Sequence, residues 1–419
     1  MSIWDAIRVM NSNVEIEMRS DPTLVGEVMR EQARHLAKNP ALRGKRSIVE
    51  AQGIQGKLRL RPIDAMHELA RGTALLRDPS VAAFARGWSA LRYLGVFARS
   101  GQGRLSLDGA ALEHVGPNQR RVISEELGIG FGVLVAKEWC QSRQVSPIGP
   151  ITVIDVDMAL FHNMVPGLST TGKRQPDYLL AYPDPNKPSK TMYELLETKG
   201  TVDVSGAKGQ LGRAVTQLAG LEVGGFPLTG IAVATVSTTS GIRALAVDPA
   251  EPVASWESSE AELEYWRKAK PRARPSLPVV DLPIDELSAR ATNVDLAALA
   301  EFSGQYDAAT RWLPRLKGQP DHANSEERLE TDLGEFVGTA FTLKLPGADK
   351  QVRVYQAVDA QIALALRSHD GSTVRARQRA FADRRGSSVR TTRSGDVEPS
   401  GVATEAVSSD GSLLRISIE

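Results

Sequence analysis

The amino-acid sequence predicts an α/β protein whose central core contains one helix, three strands, a second helix and two strands. Two observations favour this class. Apolar residues recur at three- and four-residue steps where the helices are predicted, and β-rich runs bounded by Gly, Pro, Asn and Ser lie between them. We divide the 419 residues into a helical N-terminal region (1–115), the core (116–267), a linker (268–283) and an α+β C-terminal domain (284–419).

Helices are predicted throughout residues 1–115. Asp21 precedes Pro22, which places a capping side chain before a proline at the first helical position, and Asn39 marks the end of that helix. Pro79 begins a further helix in the same way. We interpret the apolar stripes of both helices as surfaces of a hydrophobic core.

The core elements follow from the same two periodicities. The first helix has an apolar side, the strands are bounded by turn residues, and the last two strands are apolar enough to lie in a sheet covered on both faces. In chain order, we predict a helix at residues 119–139, strands at 151–160, 177–182 and 191–199, a helix at 207–221, and strands at 229–238 and 241–247.

The chain beyond the core begins with a segment rich in Lys, Arg and Pro at residues 268–278, which is typical of a semi-rigid connection between domains. After this linker, we predict a helix at residues 325–340. Residues 353–367 and 412–418 are β-rich. The last part of the chain is therefore expected to be an α+β domain.

Composition excludes several classes of function. The net charge is +1, from 51 Lys and Arg against 50 Asp and Glu, so any attraction to nucleic acid must come from local clusters of charge. The single cysteine, Cys140, excludes an internal disulfide and a Cys-rich zinc site, and we expect it to be a buried, inert thiol. No apolar run reaches the roughly eighteen residues of a membrane helix. We expect no membrane segment and a cytoplasmic location.

Three charged residues stand at the ends of two neighbouring predicted strands. Asp177 opens one strand, and Glu197 and Lys199 close the next, 20 residues further on. Side chains alternate along a strand, so Glu197 and Lys199 share a face about 6.6 Å apart and Thr198 points away. If the strands pair, the two carboxylates meet at one sheet edge and can bind Mg²⁺ or Mn²⁺, while Lys199 orients a water molecule or stabilises a phosphorane. Asp155 and Asp157 of the first predicted strand can supply another carboxylate, but we interpret them as solvent-facing.

Residues 119–250 resemble the PD-(D/E)XK nuclease superfamily, with its restriction-endonuclease-like fold, both in the Pro-Asp and Glu-x-Lys motif and in the order of helices and strands. The resemblance implies that Asp177 and Glu197 bind the metal and that Lys199 assists the nucleophile. That family often adds a glutamate from the first core helix. The corresponding position here is Glu126, with its neighbour Glu125 left open.

The expected partner of such an enzyme is DNA, with RNA left open. The resemblance also points to polar residues on the helix after the Glu-x-Lys strand, here Lys208, Gln210 and Gln217. A second basic segment has seven arginines between positions 375 and 393, with one acid among them, and such a segment can bind phosphates without reading sequence. From this segment we select Arg375, Arg377 and Arg379.

Two other functions stay open at this stage. The chain can be a nuclease-fold DNA-binding or assembly subunit that cuts only with partners, as in restriction or phage-defence systems, and cutting both strands of a duplex favours a homodimer. Gly206, Gly209 and Gly212 also resemble the phosphate-binding turn of NAD(P)-dependent reductases. We favour the interpretation that these glycines let a helix pack closely, because a lone glycine pattern is weak.

Overall fold

A computed structural model describes residues 2–42, 44–45, 47–72, 79–100, 103–144, 150–161, 168–170, 174–183, 191–223, 226–249, 284–313, 326–345, 349–392 and 403–419. The predicted linker, residues 268–283, lies outside these ranges. Within the described residues, the helices are α1 (Ile3–Asn11), α2 (Pro22–Lys38), α3 (Pro62–Gly72), α4 (Pro79–Leu91), α5 (Gly109–Glu113), α6 (Pro117–Ser142), α7 (Val156–Phe161), α8 (Val204–Leu218), α9 (Ile284–Phe302), α10 (Tyr306–Trp312), α11 (Ala360–Ser368) and α12 (Gly371–Thr392).

The strands of the described residues form one large mixed sheet, one antiparallel sheet and two small ribbons. They are β1 (Val14–Arg19), β2 (Val49–Glu50), β3 (Gly56–Leu60), β4 (Phe97–Arg99), β5 (Leu105–Leu107), β6 (Thr152–Asp155), β7 (Leu168–Thr170), β8 (Tyr178–Pro183), β9 (Thr191–Thr201), β10 (Leu221–Val223), β11 (Phe226–Pro227), β12 (Gly230–Thr238), β13 (Gly241–Asp248), β14 (Glu327–Thr331), β15 (Gly334–Lys344), β16 (Gln351–Asp359), β17 (Ala403–Val407) and β18 (Ser412–Ile418).

The large sheet has the strand order β3-β1-β13-β12-β9-β8-β6, and β2 also pairs with β13. Strand β9 is parallel to β12, and β1 is parallel to β13. The remaining neighbours are antiparallel. The α/β class is therefore confirmed, and the predicted core helices and strands are present at close to their predicted bounds, apart from the C-terminal half of the first strand.

Helices cover both faces of this sheet. On one face, α6 packs against β9 and β12, and buried Leu127 and Phe131 share a core with Leu196 of β9. On the other face, α2 and α8 enclose a second core that contains Leu211 of α8 and Leu195 of β9. Consecutive leucines of β9 thus serve opposite layers, as strand alternation requires. Burial on both faces explains why the central strands read as continuous apolar runs.

The capping signals define α2 as predicted. Asp21 accepts a hydrogen bond from the backbone N–H of Leu24 at 2.7 Å, Pro22 occupies the first turn, and Asn39 lies at the C-cap. Each of these groups satisfies or removes an orphan helix-end polar group. Cys140, near the end of α6, is buried as predicted, and this burial raises the pKa of its thiol.

The prediction that residues 1–115 are helical is wrong for β1, β3 and the shorter strands of this region. The strand β1 has the sequence Val-Glu-Ile-Glu-Met-Arg, whose apolar residues alternate and are buried while the intervening acids are not. A period of two is the mark of a half-buried strand. As a result, the N-terminal region contributes strands to the central sheet, whereas the division into domains stays a prediction.

Three further predicted bounds are wrong. The helix predicted at residues 325–340 is replaced by β14 and β15. Gly334, with a φ of 117°, begins β15 directly after the turn between them. The β-rich run at 353–367 ends at Asp359, whose side chain accepts hydrogen bonds from the first N–H groups of α11. Asp155 ends β6 in the same way by accepting from the N–H of Met158 at 2.8 Å, which starts α7. In each case local capping or turn chemistry overrides the β-rich or apolar pattern.

The C-terminal domain contains a five-stranded antiparallel sheet with the order β14-β15-β16-β18-β17. The C-terminal domain contacts α3 and α4 through both apolar and polar side chains, since Val354 and Leu414 of this sheet share a hydrophobic core with Leu69 of α3. Arg71 of α3 pairs with Asp410, and Arg86 of α4 pairs with Glu301 at 3.1 Å. Among the described residues, no helix has both the length and the apolar character that a membrane span requires.

Two glycines show how closely the layers approach. A Cβ atom at Gly200, the residue after the Glu-x-Lys motif, would lie 1.7 Å from the carbonyl oxygen of Ser124 in α6. A Cβ atom at Gly212 of α8 would lie 2.8 Å from the backbone nitrogen of Gln32 in α2. Helix backbones therefore pack directly against β9 and against each other at these points.

We expect Gly212→Ala to lower the free energy of unfolding by about 1–3 kcal/mol, because the added methyl group forces α8 away from α2. Gly209→Ala is the matched control on the same helix, since its Cβ has nothing closer than an atom 3.9 Å away. It should raise stability by roughly 0.5–1 kcal/mol through helix propensity. Denaturant unfolding of both variants checks this, and equal effects would contradict the close α2–α8 packing.

Candidate active site

Asp177 and Glu197 lie beside each other on neighbouring strands. Tyr178 of β8 faces Leu196 of β9 in antiparallel register, which places Asp177 opposite Glu197. The backbone N–H of Asp177 donates a hydrogen bond to Glu197 Oε2 at 2.8 Å, and its carbonyl accepts one from Val156 at 3.0 Å. Backbone pairing therefore brings together two acids that are distant in the sequence.

The carboxylate of Asp177 is held by Thr198. Its Oδ2 atom accepts hydrogen bonds from the backbone nitrogen of Thr198 at 3.0 Å and from the Thr198 hydroxyl at 3.1 Å. Thr198 lies on the face opposite to Glu197, as predicted, where it packs against Gly132 of α6. Sequence reasoning did not identify Thr198 as a partner of Asp177, because alternation describes one strand and not the residue at the end of its neighbour.

Lys199 completes the group. Its Nζ atom pairs with Glu197 Oε1, so both oxygens of Glu197 have a partner. The Glu197 side chain is fully buried, whereas 26% of the Lys199 side chain is exposed. Lys199 and Glu197 are thus paired, and the backbone of Asp177 contacts Glu197, whereas a metal site shared by the two carboxylates stays a prediction.

The charges of the three residues are strongly coupled. Burial, and then the neighbouring charge of Asp177, raise the pKa of Glu197 to about 8, although Lys199 opposes this shift. Burial disfavours the Lys199 ammonium, but the charges of Glu197 and Asp177 outweigh it and raise the pKa of that group. A buried carboxylate that is costly to ionise, beside a second carboxylate, is a frequent sign of a functional site.

A third carboxylate approaches from β6. Asp155 pairs with Tyr178 across the strands and is half-buried, and burial followed by the charges of Asp157 and Asp177 raises the pKa of Asp155. The interpretation of Asp155 as solvent-facing is therefore wrong. Its location at the strand end, where α7 begins, brings it close enough to Asp177 for the two charges to interact.

The donor chemistry of this group fits Mg²⁺ or Mn²⁺. Magnesium needs only one or two protein carboxylates, with water and phosphate as its other ligands. A divalent cation would also offset the repulsion between Asp177 and Glu197 that raises the pKa of the buried acid. Among the described residues, no group of three His, Cys, Asp or Glu side chains has the arrangement of a complete metal site. The two carboxylates are therefore the candidate ligands.

Glu126 lies on α6, and the partners of its side chain among the described residues are neither Asp177 nor Glu197. Its carboxylate pairs with Arg92 at 2.9 Å and accepts a hydrogen bond from the Tyr93 hydroxyl at 2.6 Å. These partners belong to the end of α4 and the turn after it. The alternative, Glu125, is exposed and lies 3.9 Å from Arg121. The catalytic role of Glu126 stays a prediction.

The predicted DNA contacts on α8 have different surroundings. Lys208 pairs with Glu27 of α2 at 2.5 Å. The side-chain oxygen of Gln210 is buried without a hydrogen bond from the described residues. Gln217 donates to the carbonyl oxygen of Gln175 at 3.2 Å, two residues before Asp177. Of these three residues, Gln217 contacts the chain segment that leads into the candidate site.

A group of cations beside the acids was missed by sequence reasoning. Arg174 Nη1 lies 3.1 Å from His35 Nε2, and burial together with the charges of Arg174, Arg213 and Lys38 lowers the pKa of His35. Arg213 also acts electrostatically on Lys199. Arg174 and Arg213 are exposed. They come from a loop and from α8, so only folding brings them together.

The arginine-rich segment is not uniformly free to bind DNA. Arg375 pairs with Asp295 at 2.7 Å within the C-terminal domain. Arg377 and Arg379 are exposed on α12. Arg393 lies outside the described residues. Arg377 and Arg379 remain the accessible members of the three that we selected.

The three glycines of the reductase-like pattern lie inside α8. Gly206, Gly209 and Gly212 occupy helical positions after the N-cap Asp203, not a turn between a strand and a helix. A pyrophosphate needs free backbone N–H groups at the start of a helix. The close approach of Gly212 to α2 is in line with the packing interpretation.

A second charged cluster lies further toward the start of β9. Glu194 is buried, pairs with Arg143 at 2.6 Å and accepts a hydrogen bond from the Tyr182 hydroxyl at 2.6 Å. The guanidinium of Arg143 lies 4.3 Å from the ring centroid of Trp139. Burial raises the pKa of nearby Asp248 to about 6, although the charge of Arg143 opposes this shift. The contacts of Glu194 connect the end of α6 to β8 and β9.

Comparison with protein-family models, curated proteins and solved structures finds no match to this chain. The functional interpretation therefore depends on the geometry of Asp177, Glu197 and Lys199.

We expect Mg²⁺ or Mn²⁺ to raise the free energy of unfolding of the wild-type protein by about 2–3 kcal/mol at saturating concentration. Asp177→Asn should remove most of this gain, because it removes one oxygen-donating charge. Asp370→Asn, at an exposed capping position of α12 where Asn also caps, is the control and should keep the gain. Thermal unfolding with and without metal measures the effect, and equal stabilisation of all three proteins would contradict a metal site at Asp177.

Asp248 should make stability dependent on pH. The pKa of about 6 in the folded protein exceeds the ordinary aspartate value of 3.8, so the folded protein keeps a proton that the unfolded chain releases. Its stabilising contribution is therefore present at low pH and is lost as the pH rises toward neutral. Relative to Asp248→Asn, wild-type protein should gain about 2 kcal/mol between pH 7 and pH 4.5. Urea unfolding across this range tests it, and a constant difference would show that Asp248 titrates normally.

Proposed function

We propose that this protein is a magnesium-dependent deoxyribonuclease with a PD-(D/E)XK site in a restriction-endonuclease-like core. The observation that carries the proposal is the convergence of Asp177, Glu197 and Lys199 on adjacent strands. These groups suit phosphodiester hydrolysis. The two carboxylates, one buried and one half-buried, provide metal ligands, and the ammonium group provides a positive charge that can donate hydrogen bonds.

The arrangement of the core supports the same proposal. Strands β6, β8 and β9 are consecutive antiparallel neighbours, and β12 joins β9 in parallel after α8. This is the helix, three-strand, helix, strand order expected from the sequence resemblance. Helix α6 packs behind the acid-bearing strand, so the rigid part of the fold holds the carboxylates.

Each residue has a separate role in the proposed reaction. Asp177 and Glu197 would hold the metal ion, which would lower the pKa of bound water and offset charge on the phosphate. Thr198 fixes the Asp177 carboxylate through two hydrogen bonds, and the Asp177 backbone fixes Glu197. Lys199 donates hydrogen bonds to the attacking water or to the phosphate oxygens. Its exposed fraction gives it access to a substrate at the sheet edge.

The substrate is proposed to lie along the side of the sheet that carries α8. Arg174 and Arg213 are exposed there and can bind the phosphates that flank the scissile bond. A nucleic-acid backbone carries regularly spaced negative charge, which compensates for the low net charge of the whole chain. Arg377 and Arg379 would extend this contact only if the substrate also reaches α12.

We expect purified full-length protein to cut DNA in the presence of Mg²⁺, and Lys199→Ala or Asp177→Asn to lose about a hundredfold or more in rate, as electrostatic catalytic groups do. Lys57→Ala is the control, since Lys57 is an exposed lysine of β3 paired with Glu15. Linear, circular and single-stranded DNA, and RNA, should be assayed in parallel to define the substrate. Wild-type rates in Lys199→Ala would refute the assignment.

A second candidate function is that of a nuclease-fold subunit that cuts only with a partner, such as another component of a defence system or a second copy of the chain. The ion pair between Lys199 and Glu197 favours it, because it engages the two groups that the reaction needs separately. This alternative predicts metal binding by the isolated chain without cleavage. Cleavage by the isolated chain would exclude it.

A further inference from the structure

A cavity of about 350 Å³ lies apart from the candidate active site, between α3, β3, the second half of α6 and the C-terminal domain. This volume is within the range of small-molecule sites. The C-terminal domain contributes four lining residues: Arg385 of α12, Val407 at the end of β17, and the next two residues, Ser408 and Ser409. The cavity is thus assembled from the N-terminal region, the core and the C-terminal domain.

The cavity is lined by three basic and three acidic side chains, but these are not all paired. Two of the acids have a basic partner: Asp64 pairs with Arg61 at 2.8 Å, and Glu68 pairs with Lys137 at 2.6 Å. Likewise, Asp410 pairs with Arg71 on α3. The exposed Glu138 lies at the cavity wall, where water screens its charge.

Arg385 is the cation without a partner. It is half-buried and lines the cavity, and no ion pair or hydrogen bond joins its guanidinium to any other described residue. Its neighbours in the arginine-rich segment differ: Arg375 pairs with Asp295, and Arg384 pairs with Asp359 at 2.8 Å. Burial lowers the pKa of Arg385, and the opposing charges of Asp64 and Glu68 do not cancel this shift.

No described acid forms an ion pair with Arg385, and the histidine near the cavity supplies no negative charge. His67 is buried, its Nε2 atom lies 3.2 Å from the Ser412 hydroxyl, and burial followed by the charges of Arg71 and Lys137 lowers its pKa well below the ordinary value. A guanidinium in such a place costs free energy unless an anion pairs with it.

The uncharged part of the wall has an aliphatic side and a polar side, the latter formed by His67, Gln141, Ser408 and Ser409. Leu58, Leu60, Leu134, Ile151 and Val407 line the cavity together with the charged residues. A ligand with an anionic group and an apolar or planar body would contact both surfaces. The planar fork of an arginine suits phosphate and carboxylate groups, which it binds with two parallel hydrogen bonds.

We propose that this cavity is a binding site for a small organic anion, and that Arg385 binds its phosphate or carboxylate group while the aliphatic wall holds its body. The proposal does not depend on nuclease activity. A bound ligand would link α3 and α6 to the C-terminal domain and would stabilise the junction of the three parts of the chain.

Binding is tested on the full-length protein with three probes at up to about 10 mM: inorganic phosphate, adenosine monophosphate and octanoate. Thermal unfolding and calorimetry are the readouts. We expect adenosine monophosphate or octanoate to bind, and Arg385→Gln to weaken that binding about tenfold or more. Arg311→Gln, which removes an exposed arginine of α10, should leave it unchanged. Inorganic phosphate separates recognition of the anionic group alone from recognition of the whole molecule.

A second readout separates a binding role from a structural one. Without ligand, Arg385→Gln should be at least as stable as wild type, because it removes an unpaired charge from a half-buried position. If Arg385→Gln unfolds at a clearly lower temperature without ligand, Arg385 is a structural residue and the proposal fails. It also fails if none of the three probes binds, or if a probe binds Arg385→Gln and wild type equally well.

Discussion

The direct packing of α6 on β9 is the constraint on which the candidate site depends. At Gly200 the helix backbone fills the space that a side chain would need, so β9 is held in one register immediately beside Lys199. Thr198 is fixed against Gly132 by the same contact. Because Thr198 donates two hydrogen bonds to the Asp177 carboxylate, the packing of α6 also fixes the position of that carboxylate. Side chains with this support are held in one geometry by the fold itself.

The elements that a single periodicity defines could be predicted from sequence. The helix α6, the strands β8, β9, β12 and β13 and the cap of α2 follow from apolar spacing and from capping residues that act over a few positions. The meeting of Asp177 and Glu197 was predictable for a related reason: two adjacent strands joined by a turn pair with each other more often than not. These are short-range rules, and they account for the backbone of the core and for the three central site residues.

The features that sequence did not provide depend on contacts between distant segments. Arg174 and Arg213 become neighbours only when α8 packs beside the loop before β8, and Asp155 approaches the acids because α7 ends its strand early. The contacts of Glu126 with Arg92 and Tyr93 likewise depend on where α4 is placed. In the sequence, the arginines of α12 form one basic run. In the helix, their side chains point in different directions, so they do not form one basic surface.

The position of β1 has a consequence for how the chain is synthesised. Strand β1 pairs in parallel with β13, which lies more than two hundred residues later in the chain. The other edge of β1 pairs with β3. During translation, β1 and β3 emerge long before β13. The edge of β1 that pairs with β13 therefore stays unpaired during this time. Contacts so distant in sequence slow folding and leave an edge that can pair with other chains. Until β13 has been synthesised, the free edge of β1 can therefore pair with other chains.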